Sequence, residues 1–165
     1  MTMETNMTTR RAVLALLTAS AASAVLAGRS YAQEATSPAA SIGNGTEVTI
    51  YRDPGCGCCD AYAAYLVDRG FKVKIVDDPA FDQRSIEADV PEEGLGCHLA
   101  MIEGYAVSGL VPAEIIVRLL EERPAITGIT LPGMPANAPG MAPDKTGTLR
   151  IFAFSADGVS VFSDE

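Results

Sequence analysis

Apolar and polar positions change period several times along the chain, and each change marks an element. Glu-Val-Thr-Ile-Tyr-Arg at 47–52 carries β-branched and aromatic residues at strand density, which predicts a first strand broken by Pro54-Gly55. From Cys58 to Arg69 the period lengthens. Cys58, Tyr62, Tyr65 and Leu66 fall on one helical face, Asp60 stands in the first turn, where a negative charge suits the helix dipole, and Gly70 supplies the stop. Residues 71–76 alternate, predicting a second strand with Phe71, Val73 and Ile75 on one face. A short helix over 81–88 and a loop over 90–96 follow. His98–Glu103 and Gly104–Ser108 then read as a hairpin turning at Glu103-Gly104. A further helix has Pro112 in its first turn, an apolar face of Ile115, Ile116, Leu119 and Leu120, and an end at Arg123-Pro124. The order β-α-β-α-β-β-α predicts a small α/β sandwich.

The pattern lapses between Ile129 and Pro143, where Pro-Gly-Met occurs twice, at 132–134 and 139–141. So much Pro and Gly predicts a long loop with neither helix nor strand. Leu149–Phe154 and Gly158–Phe162 predict a closing hairpin turned at Asp157-Gly158.

The N-terminus follows a different logic. Polar residues 1–9 lead to Arg10-Arg11, an apolar Ala- and Ser-rich run to Ala27, and small residues at Ser30-Tyr31-Ala32. This predicts an export signal of the twin-arginine type over residues 1–32, cleaved after Ala32, with delivery to a bacterial periplasm. The run is short for a membrane span, so no stable membrane insertion is expected after cleavage. Residues 33–46 are small and polar and read as a flexible linker, leaving 47–165 as the folded domain.

Charge narrows the function classes. The chain has twelve basic and twenty-one acidic residues. Three of the basic and one of the acidic lie in residues 1–32, so nine and twenty remain, a net charge of about −11. No basic patch exists for a nucleic acid, and the aromatic content is too low for a stacking platform. A Ser/His/Asp triad is excluded because the single histidine, His98, adjoins a cysteine, and no Gly-rich phosphate loop is present.

The informative chemistry lies in four cysteines and that histidine. Cys56-Gly-Cys-Cys59 follows a strand and opens a helix, and its Cys56/Cys59 spacing is that of a thioredoxin-like redox motif. Exposed N–H groups at a helix start stabilise thiolates, which suits a disulfide exchanger and a metal site alike. The third cysteine, Cys58, favours metal. A framework of disulfides is disfavoured, because three cysteines this close cannot staple distant loops. In a thioredoxin-like fold the loop before the third strand lies beside the first helix, which would turn Cys97 and His98 toward Cys56, Cys58 and Cys59. Four thiolates and an imidazole suit Cu(I), Zn(II) or an iron–sulfur cluster. Adjacent Cys58 and Cys59 sit awkwardly on one tetrahedral ion, which favours a multinuclear copper site over a single zinc. Met134 and Met141 are thioethers in the Pro-Gly-Met loop and candidates for secondary copper contacts, against the alternative that they fill apolar gaps. Three functions therefore remain: a copper-binding protein, a thiol–disulfide oxidoreductase using Cys56 and Cys59, and a zinc-stabilised structural domain.

Cys56-Gly-Cys-Cys59, Cys97-His98 with Gly104-Tyr105, Val111-Pro112, and Pro132-Gly-Met-Pro135 with Pro139-Gly-Met141 occur in this order over roughly 47–162. The set resembles the periplasmic CopG-type copper-resistance proteins, which are distinct from the DNA-binding repressors of that name. The resemblance implies a thioredoxin-like fold, a cysteine-rich copper cluster and a role in copper tolerance, with copper ions and other periplasmic copper-handling proteins as partners. One position departs. The family has Gly-His-Val-Pro where this chain has Gly109-Leu110-Val111-Pro112, so a ligating histidine is replaced by leucine.

Overall fold

A computed structural model describes residues 41–143 and 145–164. The export signal read at 1–32 and the linker up to residue 40 lie outside the described residues. Residues 41–46, the end of that linker stretch, form a turn. Gly43 N–H donates to Arg69 O at 2.8 Å and Gly45 N–H to Gly70 O at 2.7 Å, tying this turn to the segment after the first helix.

The elements in chain order are β1 (Glu47–Arg52), α1 (Gly57–Asp68), β2 (Lys72–Asp77), α2 (Phe81–Glu87), a single 3-10 turn (Glu92–Gly94), β3 (His98–Ile102), β4 (Tyr105–Ser108), α3 (Ala113–Glu122), β5 (Gly128–Thr130), β6 (Arg150–Ser155) and β7 (Gly158–Asp164). Seven strands form one sheet in the order β2-β1-β3-β4-β5-β6-β7. β1 runs parallel to β2 and antiparallel to β3, and β3 and β4 form the expected hairpin, whose turn residues Glu103 and Gly104 both have positive φ. The fold is thus mixed α/β, with helices crossing between its two parallel strand pairs, β1–β2 and β4–β5.

Strand alternation divides the core between the two faces of the sheet. Val48, Ile50, Ala100, Ile102 and Val107 turn toward α1 and α3, where Tyr62, Leu66, Ile115, Ile116 and Leu119 close the main cluster. Leu99 and Ala106 turn the other way, to pack with Val90 and Phe154. A fully buried leucine or isoleucine stabilises the fold by about 1.5–3 kcal/mol, so this first face carries most of the driving force.

Two expectations are corrected, and one is qualified. The buried face of α1 includes Cys59, not Cys58, because the helix starts at Gly57 and its inward stripe runs through Cys59, Tyr62, Ala63, Tyr65 and Leu66. Val73 and Ile75 share one face of β2 as expected, and Ile75 is 38% exposed because β2 is an edge strand with partial cover. The segment read as loop from Ile129 begins as β5: Gly128–Thr130 pairs parallel with β4 and antiparallel with β6. Three residues are too few to show a period, and only the return of the chain over α3 supplies the neighbour they pair with.

Candidate metal centre

The cysteine cluster is assembled from the backbone outward. Gly55 has φ +84°, which lets the chain turn sharply from β1 into α1. Cys56 is the N-cap of α1, and its carbonyl accepts from Cys59 N–H at 3.1 Å and Asp60 N–H at 3.2 Å. Asp60 in turn pairs with Arg52 at 3.3 Å, and Arg52 reaches Asp77 at 3.2 Å, so one guanidinium ties together the end of β1, the start of α1 and the end of β2.

Cys97 comes from the opposite side. It precedes β3, in a segment fixed by backbone closeness. A Cβ on Gly96 would run into the Gly109 backbone, and Gly109 itself has φ +78° and lies against Leu131 O. Gly96 N–H donates to Ser108 Oγ at 2.9 Å, while the Ser108 and Thr130 hydroxyls both donate to Gly94 O. Gly133 N–H donates to Leu95 O at 3.0 Å, which draws the first Pro-Gly-Met unit along the same segment.

The four cysteine Sγ atoms lie within 4.8 Å of one another. Cys56 and Cys59 form a disulfide, and Cys58 and Cys97 are free thiols. Cys58 Sγ is 3.4 Å from Cys56 Sγ and 3.8 Å from Met134 Sδ. Cys59 Sγ is fully buried, 3.3 Å from Cys97 O. Burial first, and then neighbouring Cys58, push the Cys97 thiol up to about 12, so it is protonated at neutral pH unless a metal displaces the proton.

His98 is also brought to the cluster, its Nδ1 3.4 Å from Cys97 Sγ. The ring is fully buried, with its centroid 4.8 Å from that of Tyr62. Burial lowers its pKa to about 3, which keeps the imidazole neutral, the form that can donate a lone pair to a metal. Among the described residues its buried Nε2 has no hydrogen-bond partner.

Met134 meets the cysteines, but Met141 does not share that position. It lines a groove beside α1 with Ala61, Ala64 and Asp68. The second Pro-Gly-Met unit approaches the site through its glycine instead: a Cβ on Gly140 would stand 2.7 Å from Cys58 O and 3.0 Å from Tyr62 Cβ. Leu110, at the position of the family's histidine, is fully buried in the main core.

Tyr62, Ser108, Thr130 and the Gly96–Gly109 contact were not identified from sequence as parts of the site. Tyr62 looked like an ordinary apolar position, yet its hydroxyl donates to Val111 O at 2.7 Å and its ring backs His98. Gly96 directly before Cys97 was the one available signal.

Residues 95–141, which hold Cys97, His98 and both Pro-Gly-Met units, match the family model described as a protein of unknown function, DUF411. No curated protein matches the chain. Two solved structures do. "Copper resistance protein copG- Form 1" is 31% identical over 73% of this chain and 98% of its own, with a TM-score of 0.66. "Copper resistance protein copG- Form 2" has the same identity and coverage and a TM-score of 0.67.

Proposed function

Because the chain belongs to the CopG-type copper-resistance family, we propose that it binds copper as Cu(I) in a multinuclear thiolate site and so contributes to copper resistance, by sequestration or by handling the copper oxidation state. The observation that carries this reading is the convergence of four cysteine Sγ atoms within 4.8 Å from two segments distant in sequence. Thiolates select soft ions, and among the described residues no hard carboxylate belongs to the cluster. In the reduced protein Cys56, Cys58, Cys59 and Cys97 are the inner ligands. Adjacent Cys58 and Cys59 bridge between ions more easily than they chelate one. His98 and Met134 stand at the margin of the set, and Met141 offers a second thioether on the approach along α1. Zinc is the alternative ion for the same donors.

The order β2-β1-β3-β4, with α1 and α3 packed on one face, supports a thioredoxin-like core to which β5–β7 are added. The export signal at 1–32, the linker and a periplasmic destination complete the reading, with other periplasmic copper-handling proteins as partners. Among the described residues no helix is long and apolar enough to cross a membrane.

Copper binding is tested by titrating the fully reduced protein with Cu(I) against a chromophoric chelator, followed by X-ray absorption at the copper edge. Sulfur-dominated coordination and a copper–copper distance are expected. Absence of bound copper, or an affinity unchanged in Cys59→Ser, overturns the reading. A second reading, thiol–disulfide oxidoreductase, has one observation in its favour: the Cys56–Cys59 disulfide at the start of α1. Turnover of a disulfide substrate that persists in Cys58→Ser and Cys97→Ser would select it instead.

A further inference from the structure

The disulfide removes two of the four thiolates, yet what remains is still arranged as a site. We infer that the oxidised protein, with Cys56–Cys59 closed, retains a separate three-sulfur Cu(I) site made of Cys58, Cys97 and Met134. This rests on the copper reading above and adds a second state to it.

Cys97 and Met134 reach the site from outside the disulfide, and Cys58 lies within the short loop that it closes. Cys58 rides on the first turn of α1, Cys97 is fixed by the Gly96–Gly109 contact, and Met134 follows Gly133, whose N–H is bonded to Leu95 O. Cys58 and Cys97 are both free and both partly exposed, whereas Cys59 is fully buried. The spacing of the other two sulfurs from Cys58 fits a single soft ion. With metal–sulfur bonds of about 2.3 Å, two sulfurs on one ion stand roughly 4 Å apart in a trigonal arrangement and about 4.6 Å apart in a linear one. Cys58 Sγ and Met134 Sδ are 3.8 Å apart, and Cys58 Sγ lies within 4.8 Å of Cys97 Sγ. Two thiolates and a thioether form a donor set that selects Cu(I) over harder ions. Met134 is 55% exposed, so its sulfur can move onto an ion without unpacking the core. The pair Cys58 and Cys97 thus gives the oxidised protein a capacity of one ion, and reduction of Cys56–Cys59 raises it.

The test uses the full chain purified without reductant, with two free thiols by thiol titration and the Cys56–Cys59 linkage verified by peptide mapping. It is titrated anaerobically with Cu(I) against a chromophoric chelator. One Cu(I) per chain is expected, with all-sulfur coordination by X-ray absorption and the linkage unchanged. Cys58→Ser and Cys97→Ser should each lose more than the roughly 100-fold in affinity that an outer partner can be worth, and Met134→Leu about 10-fold. If a serine variant fails to fold, by circular dichroism, alkylating both free thiols of the folded oxidised protein replaces it and must abolish uptake. Uptake by the reduced protein alone overturns the inference and leaves the copper reading intact. Uptake by neither form overturns both. A linkage found at Cys56–Cys58 after loading also overturns the inference, since the ion would then be using Cys59.

Discussion

Tyr62 donates its phenolic hydrogen to the carbonyl oxygen of Val111 over 2.7 Å, joining α1 to the connection between β4 and α3. Both residues are fully buried, and burial holds the phenol well above its ordinary pKa, so it stays a donor. Tyr62→Phe keeps the ring against His98 but leaves the Val111 carbonyl unpaired. The expected cost is about 1–3 kcal/mol in urea unfolding, with copper stoichiometry unchanged. A variant as stable as the parent would remove this bond from the account of the fold.

His98 makes the metal-free protein sensitive to acid. Its folded pKa is lowered to about 3 from an ordinary 6.5 by burial, so between these values the unfolded chain binds a proton that the folded protein does not. Stability therefore rises with pH across this window and falls as pH drops from about 6.5 toward 3, by an amount on the order of a few kcal/mol. Tyr62 and Cys97, which face the ring, are both neutral there, their pKa values raised by burial. Unfolding curves of the metal-free, reduced protein at several pH values should show this slope, and His98→Phe should flatten it.

Gly96 has no room for a side chain, since a Cβ would meet the Gly109 backbone. Gly96→Ala forces the segment carrying Cys97 away from β4. Overpacking of this kind costs roughly 1–3 kcal/mol. The displaced Cys97 should also weaken Cu(I) affinity in the chelator competition. Gly57→Ala, where a Cβ would meet open space, is the matched control and should leave affinity unchanged.

Leu110→His restores the family's residue at a fully buried position. Without metal, the imidazole replaces apolar volume in the core, and the variant should be less stable by at least about 2 kcal/mol. With copper it should recover stability and show added nitrogen in X-ray absorption. Loss of stability with no copper-dependent recovery would show that the leucine has been absorbed into the packing and that the position no longer faces the site.

Much of the architecture from β1 to α3 was legible because each element carries its own signal. Strand-dense 47–52, the stop at Gly70, the Glu103-Gly104 turn and the apolar face of α3 are local, and the structure has them where the pattern predicts. The sulfur cluster was legible because, in the expected fold, the segment before the third strand lies beside the start of the first helix, and the four Sγ atoms do converge there. The unreadable parts depend on distant neighbours. β5 exists as a strand because β4 and β6 flank it. Whether Cys58 or Cys59 turns inward depended on one residue of helix phase. Met134 and Met141 sit in identical tripeptides, yet only Met134 meets the cysteines, because Gly133 is bonded to Leu95 while Gly140 lies against α1.

The disulfide and a bound ion constrain the chain on different scales. Cys56 and Cys59 are 3 residues apart, and a linkage so local takes little freedom from an unfolded chain. Cys59 and Cys97 are 38 residues apart, with β2 and α2 between them. An ion held between the two segments is therefore a long-range cross-link, closing a loop that carries the edge strand β2 and the helix α2. Loading the site should act on the protein as a clasp does, slowing the escape of β2 and α2 from the sheet, and stripping it should loosen a stretch that touches no ligand at all.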